Sequence, residues 1–299
     1  MKKTQILDVT LRDGGYRNNF NFSEHEIEDI IKHLVKSNIY NIEIGYFKRP
    51  LSEIENIGLT GDLTLELIEK IQCLSEDINI TIMCHPEHIN ISDLYILKQS
   101  AVNVIRFCLP KTITLHTILL VKKAKKLGFF VALNFTHISE YQIDEIERKL
   151  QPVLNIEFDV LYFADSNGHS LPEEIQLLFR YFSKYPIKLG FHGHDNIGLS
   201  LYNSIVAINE GARYIDASIG GLGKGGGNLD LLSITSFLAR TEQINCNLFQ
   251  VFNATKYITK KDYYNNLNVE NIFSGLLNIN AKTMNFHRKY FERKDLYAL

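Results

Sequence analysis

Short apolar runs recur along the chain at intervals of roughly 25 to 30 residues, and amphipathic segments fill the intervals. The runs are rich in Ile, Val, Phe and Tyr, which are the residues that favour β-strands. They predict eight strands, over residues 6–10, 41–46, 79–84, 103–109, 129–135, 158–164, 187–191 and 214–218.

The segments between these strands have the apolar spacing of helices. The first helix is predicted to begin at Ser23, because Glu26 stands three residues later and completes a capping box. Gly128 and Gly211 are signals for the ends of two later helices. The remaining helices are predicted over residues 63–74, 92–100, 115–127, 138–150, 171–183 and 199–209, and from near Asn228.

Strict alternation of eight strands with helices is the pattern of a closed parallel (β/α)8 barrel, or TIM barrel. An open, doubly wound sheet is the alternative, since alternation alone does not prove closure. We expect residues 1–240 to form a metal-dependent barrel domain. Residues 241–299 are polar, rich in Asn and Tyr, and predicted to be a short, mainly helical extension beside the barrel mouth.

Composition is that of a globular protein, with 45% hydrophobic and 22% charged residues among 299. The formal net charge of -2 gives no electrostatic reason to expect nucleic acid or an anionic membrane as a partner. No apolar stretch is long enough for a membrane span, and no signal peptide is visible. The four cysteines lack CxxC spacing and indicate reduced thiols, so we expect a cytoplasmic protein.

Polar residues stand where the predicted strands end, and these ends face the active site in such a barrel. His192 and His194 are two residues apart, so on a strand their side chains project to the same face. Asp13 follows the first strand, which neighbours the last strands in a closed barrel. Together the three predict a site for one divalent metal ion; a pair of hydrogen-bonded loop histidines is the alternative reading of His192 and His194.

Two imidazoles and one carboxylate leave about three positions of an octahedral ion open for water or substrate. This ligand set suits Mn²⁺ or Mg²⁺, with Zn²⁺ or Co²⁺ as alternatives. No thiol is in the set, which argues against a closed structural zinc site. A second metal site at His85 and His88 is the less favoured interpretation of two loop histidines.

Five segments resemble the DRE-TIM metallolyase superfamily, which includes 4-hydroxy-2-oxovalerate aldolases, HMG-CoA lyase, and isopropylmalate and homocitrate synthases. They are DVTLRDG at 8–14, IEIG at 42–45, ADS at 164–166, HGHDNIGL at 192–199 and GLGKGGGN at 221–228. The resemblance covers about the first 240 residues and is greatest to the aldolases.

The resemblance implies a role for each matching position. It gives Asp13, His192 and His194 as metal ligands and Asn228 as a further ligand or neighbour of the metal. Arg12 matches the arginine that stabilises enolate charge. Glu43 matches a carboxylate that buttresses this region, and Ser166 stands where the aldolases contact the 2-oxo acid. Asn134 and Arg106 are candidate substrate-binding residues at strand ends. A structural ion pair is an equal alternative for Arg106.

Tyr16 departs from the pattern of the superfamily. The aldolases have a histidine at this position, used as the catalytic base, and the acyl-transferring synthases typically have glutamine. A phenol near a cation can act as an acid or a base, so Tyr16 is the candidate for proton transfer; lining the pocket is the alternative role. The loop 219–228 also lacks the cysteine of HMG-CoA lyase, which argues against that activity.

We therefore expect a divalent-metal-dependent aldolase or lyase that acts on a 4-hydroxy-2-oxo acid, with pyruvate as the enolate half and an aldehyde as the other. The alternatives are a Claisen-type synthase that joins an acyl-CoA to a 2-oxo acid, and a barrel without turnover that serves as a scaffold. A homo-oligomer is compatible with the sequence, and a partner dehydrogenase cannot be inferred from it.

Overall fold

Eight parallel strands close into a barrel in the order of the chain, with the last strand paired to the first. The computed structural model describes residues 3–48, 56–264 and 269–279. The strands are β1 (Gln5–Asp8), β2 (Asn41–Phe47), β3 (Asn79–Cys84), β4 (Val104–Cys108), β5 (Phe130–Phe135), β6 (Val160–Asp165), β7 (Lys188–Gly193) and β8 (Tyr214–Ala217).

A helix follows each strand, and two more follow the last unit. They are α1 (Glu24–Lys36), α2 (Leu65–Gln72), α3 (Ile91–Lys98), α4 (Leu115–Lys126), α5 (Ile143–Leu154), α6 (Pro172–Phe182), α7 (Ser200–Asn209), α8 (Leu231–Arg240), α9 (Leu248–Ile258) and α10 (Val269–Leu276). Within the described ranges, none of these helices combines the length and the apolar character needed to cross a membrane.

The closed barrel confirms the predicted fold, and every strand lies within two residues of its predicted bounds. The single helix predicted over residues 138–150 is wrong. A short 3-10 turn (Ile138–Glu140) comes first, and Tyr141 is then extended, so α5 begins only at Ile143. The backbone of His137 is left-handed, with φ of 58°, and this conformation separates β5 from the turn.

Helix α1 shows how the sequence fixes the ring of helices. The Ser23 side chain accepts a hydrogen bond from the backbone N–H of Glu26, and the Glu26 side chain accepts one from the backbone N–H of Ser23. The predicted capping box is therefore present. Ile27, Ile30 and Leu34 then recur with helical spacing and are fully or almost fully buried. The main core lies between the strands and this outer ring of apolar helix faces.

A bulge in β2 changes which of its side chains face the barrel axis. The pairing register with β3 shifts between Glu43 and Tyr46. In a regular strand these two residues would point to opposite faces, yet Glu43 hydrogen-bonds to Arg12 and Tyr46 lines the same cavity as Arg12. Gly45 makes this possible, because a Cβ there would lie 2.2 Å from the carbonyl oxygen of Thr60.

The region after residue 240 contains helices, as expected. Helix α9 packs against α1 and α8. Near α10, the Asn196 side chain donates a hydrogen bond to Ser274, and His169 Nδ1 lies 2.6 Å from the carbonyl oxygen of Gly275. These contacts hold the extension against the barrel. The domain boundary at 240 stays a prediction, and residues 265–268 and 280–299 lie outside the described residues.

Candidate active site

A cavity of about 290 Å³ lies at the carboxyl ends of the barrel strands. Seven of the predicted site residues line it: Arg12, Asp13, Tyr16, Asn134, Ser166, His192 and His194. Glu43, Arg106 and Asn228 are buried and do not line it. The structure thus brings together side chains that lie at or just after the ends of β1, β5, β6 and β7, as the strand ends predict.

Asp13, His192 and His194 form a cluster that can hold a metal ion. Their ligating atoms all lie within 4.8 Å of one another, and all three residues are buried. The two Nε2 atoms are 3.2 Å apart, and His194 Nε2 is 3.8 Å from Asp13 Oδ2. Ligand atoms about 2.1 Å from an ion and at right angles to each other lie about 3 Å apart, so these separations fit one ion.

Hydrogen bonds at the far side of each imidazole decide where its proton lies. His192 Nδ1 lies 2.9 Å from Asp216 Oδ2, and His194 Nδ1 lies 3.1 Å from the carbonyl oxygen of Lys224. A carboxylate and a carbonyl oxygen only accept, so both Nδ1 atoms carry the proton. With the proton on Nδ1, each ring in its neutral form offers the lone pair of Nε2 to a metal ion.

Protonation does not compete strongly with a metal ion at Asp13 and His194. Burial, with the charges of His192, Lys224 and Arg12, lowers the pKa of His194 to about 3, against the opposing effect of Asp13. Burial raises the pKa of Asp13, but the charge of Arg12 and the two histidines outweigh it and hold that pKa well below its usual range. At neutral pH the site offers one carboxylate and a neutral imidazole at His194.

Asn228 lies beside this cluster, where the resemblance places it. Its backbone forms an isolated antiparallel bridge with His194. The side-chain Nδ2 donates to the carbonyl oxygen of Leu222, whereas the buried Oδ1 accepts no hydrogen bond from the described residues. This oxygen is therefore available as a further ligand. Gly223 lies against the same amide, since a Cβ on it would be 2.4 Å from Asn228 Nδ2.

Arg12 is held in one orientation by two carboxylates. Its Nε donates to Glu43 Oε2 at 2.6 Å, and its Nη1 donates to Asp13 Oδ1 at 2.6 Å. The third nitrogen, Nη2, is buried and makes no hydrogen bond with the described residues. Because Arg12 lines the cavity, this donor can serve a substrate oxygen, while Glu43 positions the guanidinium from behind.

Arg106 lies inside the barrel and away from the cavity. Its Nη2 pairs with Asp216 Oδ2 at 2.6 Å, and its guanidinium carbon lies 4.0 Å from the centroid of the Tyr162 ring. The side chain is fully buried and also borders a separate cavity of about 160 Å³ at the amino end of the strands. Its contacts are those of a structural ion pair, so the structure does not support contact between Arg106 and substrate.

Tyr16 faces the cavity within a cluster of aromatic rings. Its hydroxyl lies 3.3 Å from that of Tyr46, and its ring packs edge-on against Phe20. The guanidinium carbon of Arg12 is 5.9 Å from the centroid of the Tyr46 ring, and Lys224 Nζ is 5.5 Å from that of Tyr16. Two phenolic hydroxyls and two cations thus stand on one side of the cavity.

Asn134 and Ser166 line the opposite part of the wall. Asn134 Oδ1 accepts a hydrogen bond from Arg106 Nη2 at 3.1 Å, which connects the cavity wall to the interior ion pair. Ser166 Oγ accepts from the backbone N–H of His137 at 3.1 Å. Both side chains present polar atoms to the cavity, but their role in substrate binding stays a prediction.

Several site residues escaped the sequence analysis. Asp216 orients His192 and was detectable as a lone acid in the apolar strand β8. Lys224 is the single charge in the glycine loop, and Lys111 follows β4; both line the cavity. His85 also lines it, although His85 and His88 belong to no group of three or more ligating side chains among the described residues.

Comparisons with known proteins identify the family of this chain. The HMGL-like family matches residues 3–258. The chain is 25% identical over 249 residues to a 4-hydroxy-2-oxovalerate aldolase of Desulfitobacterium hafniense (83% of this chain, 74% of the relative). It is 23% identical over 276 residues to an oxaloacetate decarboxylase of Mycobacterium tuberculosis (84% and 75%). The crystal structure of the N-terminal domain of a putative aldolase from Bacteroides vulgatus superposes with a TM-score of 0.83 at 30% identity, covering 99% of this chain and 100% of that one.

These findings confirm two sequence-based predictions, the superfamily and the class of carbon–carbon lyase. The matched segment includes the whole barrel and α9, so the family assignment rests on nearly all of the described chain. The chain belongs to the HMGL-like family.

Proposed function

We propose that this protein is a divalent-metal-dependent aldolase that cleaves or forms the bond between C3 and C4 of a 4-hydroxy-2-oxo acid. The observation that carries this proposal is the cluster of Asp13, His192 and His194 beside a buried, available Nη2 of Arg12 in one cavity. The cluster suits an ion with open positions, and the arginine suits an oxygen that gains negative charge.

Asp13, His192 and His194 would hold the ion, with Asn228 as a further oxygen ligand. Mn²⁺ and Mg²⁺ fit this set best, because carboxylate, amide oxygen and imidazole leave room for oxygen ligands from the substrate. Such an ion supplies Lewis acidity to the carbonyl of a 2-oxo acid. The pairing of Asp216 with His192 keeps that imidazole in the tautomer that ligation needs.

Arg12 stabilises the negative charge that develops on the 2-oxo oxygen as the C3–C4 bond breaks. Glu43 and Asp13 fix its Nε and Nη1, so that Nη2 needs no reorganisation to donate to that oxygen. Removal of one such donor typically costs about 100- to 1000-fold in rate. Glu43 acts through Arg12 and is a positioning residue.

Tyr16 is our candidate for proton transfer. In cleavage, Tyr16 as its phenolate takes the proton of the C4 hydroxyl, the C3–C4 bond breaks, and the aldehyde departs. The electron pair of that bond stays on C3 of the pyruvate enolate, and Tyr16 returns the proton to C3 to give pyruvate. The Tyr16 hydroxyl lines the cavity and lies 3.3 Å from Tyr46, so a proton can be shared between the two phenols. Ser166 and Asn134 are proposed to contact the bound 2-oxo acid.

Exchange of the methyl protons of pyruvate with deuterated water tests the proposal. Forming the pyruvate enolate is half of the aldol reaction and requires no second substrate. NMR of enzyme, Mg²⁺ and pyruvate should show loss of the methyl signal that requires both metal and Arg12. In the Claisen alternative, the acyl-CoA supplies the nucleophilic carbon and the protons of the 2-oxo acid stay in place. Absence of exchange, with release of free thiol from an acyl-CoA and a 2-oxo acid, would overturn the aldolase proposal.

A further inference from the structure

Among the described residues that line the active-site cavity, positive charges outnumber negative ones. Arg12, Lys111 and Lys224 line it, and Asp13 is the single carboxylate among the described lining residues. Arg12 is already engaged with Asp13 and Glu43, which accounts for its charge. The two lysines do not belong to the cluster that can hold the metal ion.

Lys224 is anchored directly beside the metal cluster. Its backbone N–H donates to Asp13 Oδ2 at 3.4 Å, and its carbonyl oxygen accepts from His194 Nδ1. Arg17 fixes the loop around it, donating to the carbonyl oxygens of Gly223 and Gly225 at 2.6 and 2.8 Å. The loop is therefore rigidly placed, and the lysine side chain extends from it along the Tyr16 ring.

Lys111 reaches the cavity from another part of the rim, beyond the end of β4. His137, which follows β5, also lines the cavity. Burial lowers the pKa of His137, and the positive charges of Lys224 and Lys111 lower it further, against the effect of Glu140. Both lysines, which belong to distant segments of the chain, therefore line the same cavity as His137 and influence its charge.

We propose that Lys111 and Lys224 form an anion-binding subsite that selects substrates whose aldehyde half ends in a carboxylate or a phosphate. This inference rests on the proposed aldolase function and specifies its substrate class. The metal cluster and Arg12 serve the 2-oxo-acid end of the substrate, so two further cations that line the same cavity suit a second anionic group. Ammonium groups in a partly enclosed cavity favour such a group over a neutral one of the same length.

Binding of two unreactive 2-oxo acids tests the subsite. 2-Oxoadipate and 2-oxohexanoate share the 2-oxo-acid end and the number of carbons, but only the former has a second carboxylate at the far end. Calorimetry with the Mg²⁺-loaded enzyme should give a Kd for 2-oxoadipate about tenfold lower, since charge-assisted contacts exceed neutral ones. In the double variant Lys111→Met/Lys224→Met the two ligands should bind within about twofold of each other.

A matched control separates a local effect from a change in net charge. Lys122→Met/Lys126→Met also removes two positive charges, but from helix α4 outside the cavity, and this variant should keep the tenfold preference. Equal affinities for both ligands in the wild type, or a preference that survives in the Lys111/Lys224 variant, would overturn the subsite. Circular dichroism and Mg²⁺ binding of each variant exclude loss of fold or of metal.

Two further experiments identify the anionic group and separate the subsite proposal from the aldolase proposal. Aldol addition of pyruvate to succinic semialdehyde, glyceraldehyde 3-phosphate and butanal compares a carboxylate, a phosphate and a neutral acceptor by kcat/KM. If either anionic acceptor has a higher kcat/KM than butanal, and this advantage is lost in Lys111→Met/Lys224→Met, the result supports the subsite and identifies which anionic group it binds. Pyruvate proton exchange needs no acceptor, so exchange without a preference for anions contradicts the subsite alone, and no exchange contradicts the aldolase itself.

Discussion

Asp216 Oδ2 lies 2.9 Å from His192 Nδ1 and 2.6 Å from Arg106 Nη2, so one carboxylate oxygen joins the metal cluster to the ion pair inside the barrel. Burial raises the pKa of Asp216, but Arg106 and His192 outweigh it and leave that pKa lowered. The ionised carboxylate fixes the proton of His192 on Nδ1. His192 therefore presents Nε2 to the metal.

Replacement of this carboxylate should weaken metal binding. In Asp216→Asn the amide is a poorer acceptor for His192 Nδ1–H, and we expect Mn²⁺ affinity to fall about 10- to 100-fold by calorimetry. His194→Ala, which leaves the pair of Asp216 and Arg106 intact, should lose about one bound ion. Asp159→Asn makes the same change near the amino ends of the strands and should retain wild-type affinity. Unchanged affinity in Asp216→Asn would contradict the orienting role.

Arg12→Lys should lower the rate of pyruvate proton exchange at least about 100-fold. Lysine keeps the charge but cannot bind Glu43 and Asp13 while a third nitrogen serves the substrate. The rate is measured by NMR at saturating Mg²⁺, and the melting temperature shows whether the fold is kept. Arg213→Lys is the matched control, since Arg213 contacts the carbonyl oxygens of Ile208 and Ala212 outside the cavity. A folded Arg12→Lys enzyme within a few-fold of wild type would refute this role.

Tyr16→Phe should reduce the same exchange by about 100-fold or more, as expected for loss of an acid–base group. Tyr46→Phe removes only the hydroxyl that neighbours Tyr16 and should cost about tenfold or less. Tyr95, exposed on helix α3, provides the control Tyr95→Phe, which should exchange at the wild-type rate. If Tyr16→Phe exchanges as fast as wild type, another group moves the proton.

The sequence predicted the parts of this site that follow from strand periodicity. The alternation of side chains on a strand was enough to place His192 and His194 on one face, and barrel closure was enough to bring Asp13 beside them. Glu43 and Tyr46 could not be placed in this way, because the bulge at Gly45 breaks the alternation between them. A bulge depends on contact with Thr60, a tertiary feature with no local signal.

Charged residues near strand ends posed the other difficulty. Arg106 and Lys111 both stand near the end of β4, yet Arg106 turns into the barrel and Lys111 lines the cavity. The difference depends on Asp216, which is distant in sequence and pairs with Arg106 only once β8 has closed the barrel. The assembled fold decides which buried charges pair with each other, and a single sequence does not show these pairings.

Asp8 should make the stability of the protein depend on pH. It is fully buried at the end of β1, and burial raises its pKa to about 7, although hydrogen bonds from Thr10 act against this and Asp216 and Glu43 contribute to it. In the unfolded chain an aspartate has a pKa of about 3.9. Between about pH 4 and 7 the folded protein thus keeps a proton that the unfolded chain has lost, so its free energy of unfolding falls as pH rises through this window.

Asp8→Asn should remove this contribution, because an amide does not titrate. A shift of about three pKa units corresponds to as much as about 4 kcal/mol, so the free energy of unfolding of wild type should fall by up to that amount relative to Asp8→Asn between about pH 4 and pH 8. Urea unfolding in EDTA measures both proteins without metal, and groups that titrate alike in both cancel in the difference. Asp77→Asn, at an exposed position, should follow wild type. If wild type and Asp8→Asn change in parallel over this range, Asp8 is ionised in the folded protein and its pKa is not raised.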